Sequence, residues 1–340
     1  MPRSADRSGE PTGPSADESD TARAGTQLAP QPGRLVVIQR NPHSGSGRGR
    51  SQLLRLTAEL RQRGFRVRLF SRRQQLERFM ARPAVQAELR CLVAAGGDGT
   101  VADLASRFPG TPLAILPLGT ENLMARHLRI TRCGRTLARL IDQFQIRTFD
   151  NGTADGHRFL LMLSVGTDAE IIRRLHVRRT GHIGYHSYLL PVICSLTGYT
   201  PPRLLARSDD GLFSVAGSHV IVTNTPEYGF GFRFSPDAQP DDGLLDVRVF
   251  TGSGRLLTML HAVMIFLRLS AVERSVVRFR TAALTLTALG ASRPLPVQCD
   301  GDPGPSVFPG QPVQIRVVRN SLALISPSPP GGVPSAERAG

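Results

Sequence analysis

Leu92-Val-Ala-Ala-Gly-Gly-Asp-Gly-Thr100 is a short apolar run that ends in three glycines, an aspartate and a threonine. A helical pattern, Val101-Ala-Asp-Leu-Ala-Ser-Arg107, follows at once. That order spells a strand, a tight loop and a helix N-terminus. Such a junction turns bare backbone N–H groups, and the positive end of a helix dipole, toward whatever lies above it. Glycines without side chains let a bulky anion approach the main chain. Asp98 adds a carboxylate where a metal can bridge to phosphate. The stretch therefore points to a nucleoside triphosphate site.

The neighbouring sequence repeats the theme. Arg34-Leu-Val-Val-Ile-Gln39 is a buried strand running into the Gly/Ser loop Asn41-Pro-His-Ser-Gly-Ser-Gly-Arg48. Leu53, Leu56 and Leu60 recur at helical spacing, and Gly64 stops that helix. Phe65–Phe70 reads as a second strand, 73–81 as a helix and Leu89–Ala95 as the third strand. Leu113–Leu116 forms a fourth, entering Pro117-Leu-Gly-Thr-Glu-Asn122 and a helix over 122–128. Strand-loop-helix units of this length imply a doubly wound parallel α/β sheet. Ligands of such sheets sit at the carboxyl ends of the strands, so these loops should face one crevice.

The texture changes near residue 150. Short alternating runs at 158–165, 218–224, 244–250, 282–288, 313–318 and 321–325 are parted by Gly, Pro and Asp, which suggests an antiparallel β-domain. Two apolar helical stretches, near 183–196 and 255–269, interrupt it. The expected layout is a disordered tail over 1–33, an α/β nucleotide domain over 34–152, a β-sandwich over 153–326 with a cleft between the two, and a second tail over 327–340. Both tails are poor in large apolar residues.

Composition bounds the partners. The net charge is +15, and every basic side chain is an arginine, with no lysine. Such an excess favours anionic partners. Twelve arginines lie between 48 and 90 against three glutamates, which makes either a solvated face or a platform for acidic lipid. Aromatic residues are only 6% and tryptophan is absent, poor material for stacking bases, so no nucleic acid is expected. The four cysteines have no C-x-x-C spacing and fit a reducing compartment. With no secretory leader and no apolar run of about 18 residues, the expectation is a cytoplasmic protein, peripheral at the inner membrane face. The oligomeric state is open, a homo-oligomer included.

Taken in order, Asn41-Pro-x-Ser-Gly45, Gly96-Gly-Asp-Gly-Thr100, Leu116-Pro-Leu-Gly-Thr-Glu-Asn122, Ser164-Val-Gly-Thr-Asp-Ala169, Arg178–Tyr185, Gly229-Phe-Gly231, Asp242-Gly-Leu-Leu-Asp246 and Cys299-Asp-Gly-Asp302 resemble the diacylglycerol kinase catalytic family. That family includes bacterial lipid kinases and sphingosine kinases. The resemblance covers about residues 34–326. It implies an NAD kinase-like α/β domain, a β-sandwich, and an ATP- and Mg²⁺-dependent kinase acting on a lipid hydroxyl, diacylglycerol or a sphingoid-type alcohol, at a membrane surface. The family's nucleotide contacts would map onto Asn41, Ser71, Gly96, Gly97, Asp98, Gly99, Thr100, Asp103, Gly119, Thr120 and Asn122. Its magnesium would map onto Asp242, with backbone oxygens of Gln239 and Leu244. Its proton acceptor would fall on Asp300 or Asp302, with Asp98 the acid of the first domain.

These assignments suit the chemistry. Phosphoryl transfer asks for positioning and charge neutralisation, and a hydroxyl nucleophile needs a carboxylate within hydrogen-bond reach. The chain also departs from the family pattern. Asp302 stands where glutamate is usual, Leu123 replaces an acid after Gly-Thr-x-Asn, and Asp103 supplies a shorter acid after the first loop. Alternative readings are an NAD kinase, which shares the Gly-Gly-Asp-Gly loop, and a degenerate protein that binds a nucleotide or an anionic surface without turnover.

Overall fold

The computed structural model describes residues 33–41, 49–177, 202–228, 232–252 and 275–328. The remainder of the Asn41 loop, the Arg178–Tyr185 segment, Gly229–Gly231, and both apolar helices expected near 183–196 and 255–269 lie outside the described residues, as do both expected tails apart from Gly33, Pro327 and Ser328.

The first half alternates strand and helix: β1 (Leu35–Arg40), α1 (Gly49–Gln62), β2 (Arg66–Phe70), α2 (Arg73–Met80), α3 (Pro83–Glu88), β3 (Leu89–Gly96), α4 (Asp98–Arg107), β4 (Leu113–Pro117), α5 (Leu123–His127) and α6 (Gly134–Gln143). β1 pairs in parallel with β2 and β3, and β3 pairs in parallel with β4, giving the order β2-β1-β3-β4. β1, β3 and β4 are buried nearly throughout, which is why they read as unbroken apolar runs. Leu53, Leu56 and Leu60 of α1 and Leu137 and Ile141 of α6 cover one face of the sheet. Leu76, Met80, Leu104 and Met124, from α2, α4 and α5, cover the other. Gly64 takes a φ of +80°, the left-handed turn that ends α1.

The second half is mostly strand: β5 (Ile146–Ala154), β6 (His157–Phe159), β7 (Met162–Val165), α7 (Thr167–Val177), β8 (Arg203–Ser208), β9 (Ser214–Gly217), β10 (His219–Thr223), β11 (Glu227–Tyr228), β12 (Phe232–Arg233), β13 (Leu245–Phe250), β14 (Val276–Thr281), β15 (Ala283–Leu289), β16 (Val297–Cys299), β17 (Asp302–Pro303) and β18 (Val313–Ile325). One antiparallel sheet runs β14-β13-β10-β7-β16-β17. Its inner residues Val165, Val222 and Val247 meet Leu204, Leu286, Ile315 and Phe159 from the facing strands in a shared core. This is the β-sandwich that alternation leads one to expect.

Two strands differ from the sequence reading. The run 158–165 is not one strand: it breaks after Phe159 and resumes at Met162. The runs 313–318 and 321–325, expected as separate sandwich strands, form the single strand β18. Asn320 takes a φ of +50°, and the register shifts between Val318 and Leu322. Before the shift β18 pairs with β15 in the sandwich. After it, Leu322–Ile325 run beside Ile146–Phe149, and Leu324 bridges in parallel to Leu113 of β4. Leu324 and Ile325 then pack into the cores on opposite faces of the α/β sheet. The last strand thus crosses the boundary expected at 152/153.

Gly152 in β5 lies beneath the fully buried Phe159 ring, where an added Cβ would fall inside the van der Waals envelope of the ring. Gly152→Ala is expected to cost about 1–3 kcal/mol or more through overpacking. A lowered urea midpoint with an unchanged slope is the measurement that shows it.

Candidate functional site

The carboxyl ends of the parallel strands form one wall. β3 ends at Gly96, and α4 starts at Asp98 with Gly97 as its N-cap and no side chain capping it. Its opening N–H groups are therefore of the kind that seek an anion. The Gly119 loop packs directly onto this one. Leu118 N–H donates to the Gly96 carbonyl at 2.8 Å, and a Cβ on Gly119 would lie 2.5 Å from the Gly97 Cα. Asn122, buried and left-handed at a φ of +52°, closes the second loop: its amide donates to the Gly119 carbonyl and accepts from the Gly119 N–H, both at 2.8 Å. Arg132 donates to the carbonyls of Pro117 at 2.8 Å and Gly119 at 3.1 Å. Nothing in the sequence marked Arg132, since its partners lie in another turn.

Asp98 works inside this wall. Its carboxylate accepts the N–H groups of Leu123 at 2.9 Å and Met124 at 3.0 Å, capping α5. Burial pushes its pKa up, and those backbone bonds pull against the shift. Both oxygens are thus engaged in joining the two loops. Thr100 is buried with its side chain against Gly96, while Thr120 is exposed on the second loop. The Asn41 N–H donates to the Ala95 carbonyl, and Ser71 lies exposed just past β2 on the same sheet edge. Asp103 is ion-paired to Arg107 and, at 3.2 Å, to Arg73. Of the nucleotide candidates, the structure brings Gly96–Thr100 and Gly119–Asn122 together, puts Asn41 and Ser71 on the same edge, and commits the Asp103 carboxylate to arginines.

The Cys299-Asp-Gly-Asp302 turn forms the facing wall. Asp300, left-handed at a φ of +53°, accepts three backbone N–H groups: Leu160 at 2.7 Å, Leu161 at 2.8 Å and Met162 at 3.0 Å. This is where the expected 158–165 strand breaks. Burial raises the Asp300 pKa to about 6, the three bonds oppose the shift, and the nearby Asp98 charge adds to it. Buried Gln298 holds the turn from below, accepting the Gly301 N–H at 2.8 Å and donating to Ser164 Oγ at 2.9 Å. Burial also raises the Cys299 thiol, leaving it inert. Asp302 is exposed, and its Oδ2 lies 3.2 Å from where a Cβ on Gly99 would stand. The second part's acid therefore sits directly over the glycine loop of the first.

The Asp242 turn is built differently. Asp150, only 2% exposed, accepts the N–H groups of Gly243 and Asn320, both at 2.7 Å. Gly243 takes a φ of +75°. Asp242 Oδ1 accepts the Leu244 N–H at 2.9 Å, and Oδ2 accepts a bond from the Arg280 guanidinium. Magnesium demands an octahedron of oxygens. Here both oxygens of Asp242, the one side-chain ligand expected, have donors, and one of those donors is a cation. These residues fit a guanidinium and not a magnesium ion. Asp150 and Arg280 escaped the sequence reading, Asp150 because β5, Ile146-Arg-Thr-Phe-Asp-Asn-Gly-Thr-Ala154, is largely polar and hides its acid among other polar residues.

Residues 34–154 match the family model of the diacylglycerol kinase catalytic domain, and residues 162–326 match that of the YegS C-terminal NAD kinase beta sandwich-like domain. A "probable lipid kinase YegS-like" of Pseudomonas aeruginosa is 31% identical over 228 residues, spanning 65% of this chain and 72% of that protein. A diacylglycerol kinase of Mycobacterium tuberculosis is 26% identical over 301 residues, spanning 84% and 94%. Among solved structures, a diacylglycerol kinase from Bacillus anthracis shares the fold, with a TM-score of 0.62 at 18% identity over 86% of this chain and 97% of that one.

Gly119→Ala is expected to push the two loops apart and weaken nucleotide binding while leaving far-ultraviolet circular dichroism intact. Titration with a fluorescent ATP analogue measures this. The Asp300 pKa lies above that of a free carboxyl, so the folded state holds its proton more tightly. Its contribution to stability is greatest at low pH and declines as pH rises from about 4 to about 6. Asp300→Asn should flatten that part of the pH–stability curve, as thermal denaturation across the range would reveal.

Proposed function

Since the chain belongs to the diacylglycerol kinase catalytic family, we propose that it is an ATP-dependent lipid kinase that moves the γ-phosphoryl group to a hydroxyl of a membrane lipid, diacylglycerol or a sphingoid-type alcohol. The single observation that carries this reading is Asp302 Oδ2 poised over Gly99 of the glycine loop. The uncapped start of α4 and the paired loops would hold the donor's phosphates, with Mg²⁺ entering as part of the MgATP substrate. A lipid hydroxyl above Gly99 would give its proton to Asp302 as its oxygen bonds to the γ-phosphorus. The bond from that phosphorus to the bridging oxygen breaks, and ADP leaves. Asp302 suits the role because it is exposed at the glycine loop, where a substrate can reach it. Asp300 and Asp98 have their oxygens on backbone N–H groups, so their proposed part is to hold the two walls in place.

The acceptor must be reached at a surface. Among the described residues no helix is long and apolar enough to cross a membrane. Arg61, Arg68, Arg72 and Arg78 are exposed on or beside α1, β2 and α2. Such residues contribute on the order of 1 kcal/mol each near acidic lipid, which supports peripheral binding to an anionic membrane.

Vesicles of mixed lipids incubated with radiolabelled ATP and Mg²⁺ are expected to yield a labelled phospholipid. Asp302→Asn should lower kcat by about 10²–10⁴-fold with little change in the KM for ATP. Labelling of NAD in place of lipid in a side-by-side assay, or full activity in Asp302→Asn, would overturn the reading.

A further inference from the structure

We infer that Arg280 supplies the positive charge at the Asp242-Gly-Leu turn, so that a side chain of the protein closes this turn without a divalent cation. The family resemblance places magnesium here, and the side chains disagree. Arg280 on β14 stands directly opposite Asp246 of β13 in an antiparallel register. Opposite charges in that arrangement attract across the strands. The Arg280 guanidinium bonds to Asp242 Oδ2 with one nitrogen, and its Nε lies 3.7 Å from Asp246 Oδ2. One cation therefore serves two acids, and Asp237 contributes further negative charge near Asp246.

The rest of the turn is closed by the protein as well. Asp242 Oδ1 is taken by the Leu244 N–H, and Asp150 takes the Gly243 N–H. The Arg319 guanidinium fills the space beside Gly243 where a side chain would stand. A magnesium ion would have to displace Arg280 from Asp242 and bind within reach of a second guanidinium. A planar fork that is always protonated and already attached to the next strand needs no dehydration and no supply of free ion. Arg280 exposes 45% of its side chain against 20% for Asp242 and 17% for Asp246, so the pair sits at the surface, where an ion in solution could compete for it.

The test uses the full chain free of nucleotide, with Mn²⁺ as a paramagnetic probe and Mg²⁺ as competitor. The wild-type protein should show the same melting temperature in EDTA and in millimolar MgCl₂, and no Mn²⁺ signal attributable to this turn. Arg280→Gln should melt lower in EDTA, recover as Mn²⁺ or Mg²⁺ is added, and bind Mn²⁺ at least about tenfold more tightly than wild type. Adding Asp242→Asn to that variant should abolish the gain. A wild-type Mn²⁺ site lost in Asp242→Asn would overturn the inference. So would an Arg280→Gln protein that folds by circular dichroism yet gains no affinity for Mn²⁺. These readouts require neither ATP nor lipid, so they stand or fall apart from the kinase activity.

Discussion

The cleft depends on one carboxylate accepting three successive backbone N–H groups. Asp300 takes the hydrogens of Leu160, Leu161 and Met162, which would otherwise be lost at the break between β6 and β7. The unsatisfied groups would be costly, about 1–3 kcal/mol each if buried without partners, so the break can exist only because an acid fills it. The same contact fixes the turn that ends at Asp302, and with it the distance from that residue to the glycine loop. Burial opposes the Asp300 charge while the three bonds favour it, and the residue rests between these demands with a raised pKa.

Three buried or half-buried aspartates share this way of working. Asp98 joins the two glycine-bearing loops, Asp300 joins the break to the turn, and Asp150 joins the Asp242 turn to the bulge in β18. Each accepts main-chain N–H groups from segments distant in sequence. Asp302, two residues beyond one of them, is exposed and faces the loop. A division of labour emerges in which buried acids set geometry and an exposed acid stands at the glycine loop. Preorganisation of this kind is what phosphoryl transfer asks of a protein, because the chemistry itself is mostly positioning and charge.

Much of this was legible in the sequence. The parallel strands, the glycine loops at their carboxyl ends and the runs 218–224, 244–250 and 282–288 follow from local pattern and recur in the structure within a residue or two, whereas β5, β8, β9 and β14 carry no such pattern. The roles of the acids were not legible. Whether a carboxylate faces a substrate, an arginine or a helix end is decided by partners 25 or 140 residues away, as for Asp98 with Leu123 and Asp300 with Leu160. Arg280 was hidden for the same reason, since it finds Asp242 through a strand pairing 38 residues removed. The continuity of β18 was masked by Arg319-Asn320, which looks like a turn in sequence; in the fold, Asp150 holds the left-handed Asn320 N–H and keeps both halves in one strand.

That strand has a consequence for how the molecule is made. Leu322–Ile325 lie beside β5, touch β4, and pack into the cores on both faces of the parallel strands β2-β1-β3-β4, which are made long before them. A chain emerging from the ribosome N-terminus first therefore presents β4 as an open sheet edge throughout synthesis of the sandwich, and an open edge is prone to wrong pairing. The α/β half is not complete until its neighbour has been made. Its last strand follows the sandwich strands in chain order, so the two halves are completed together.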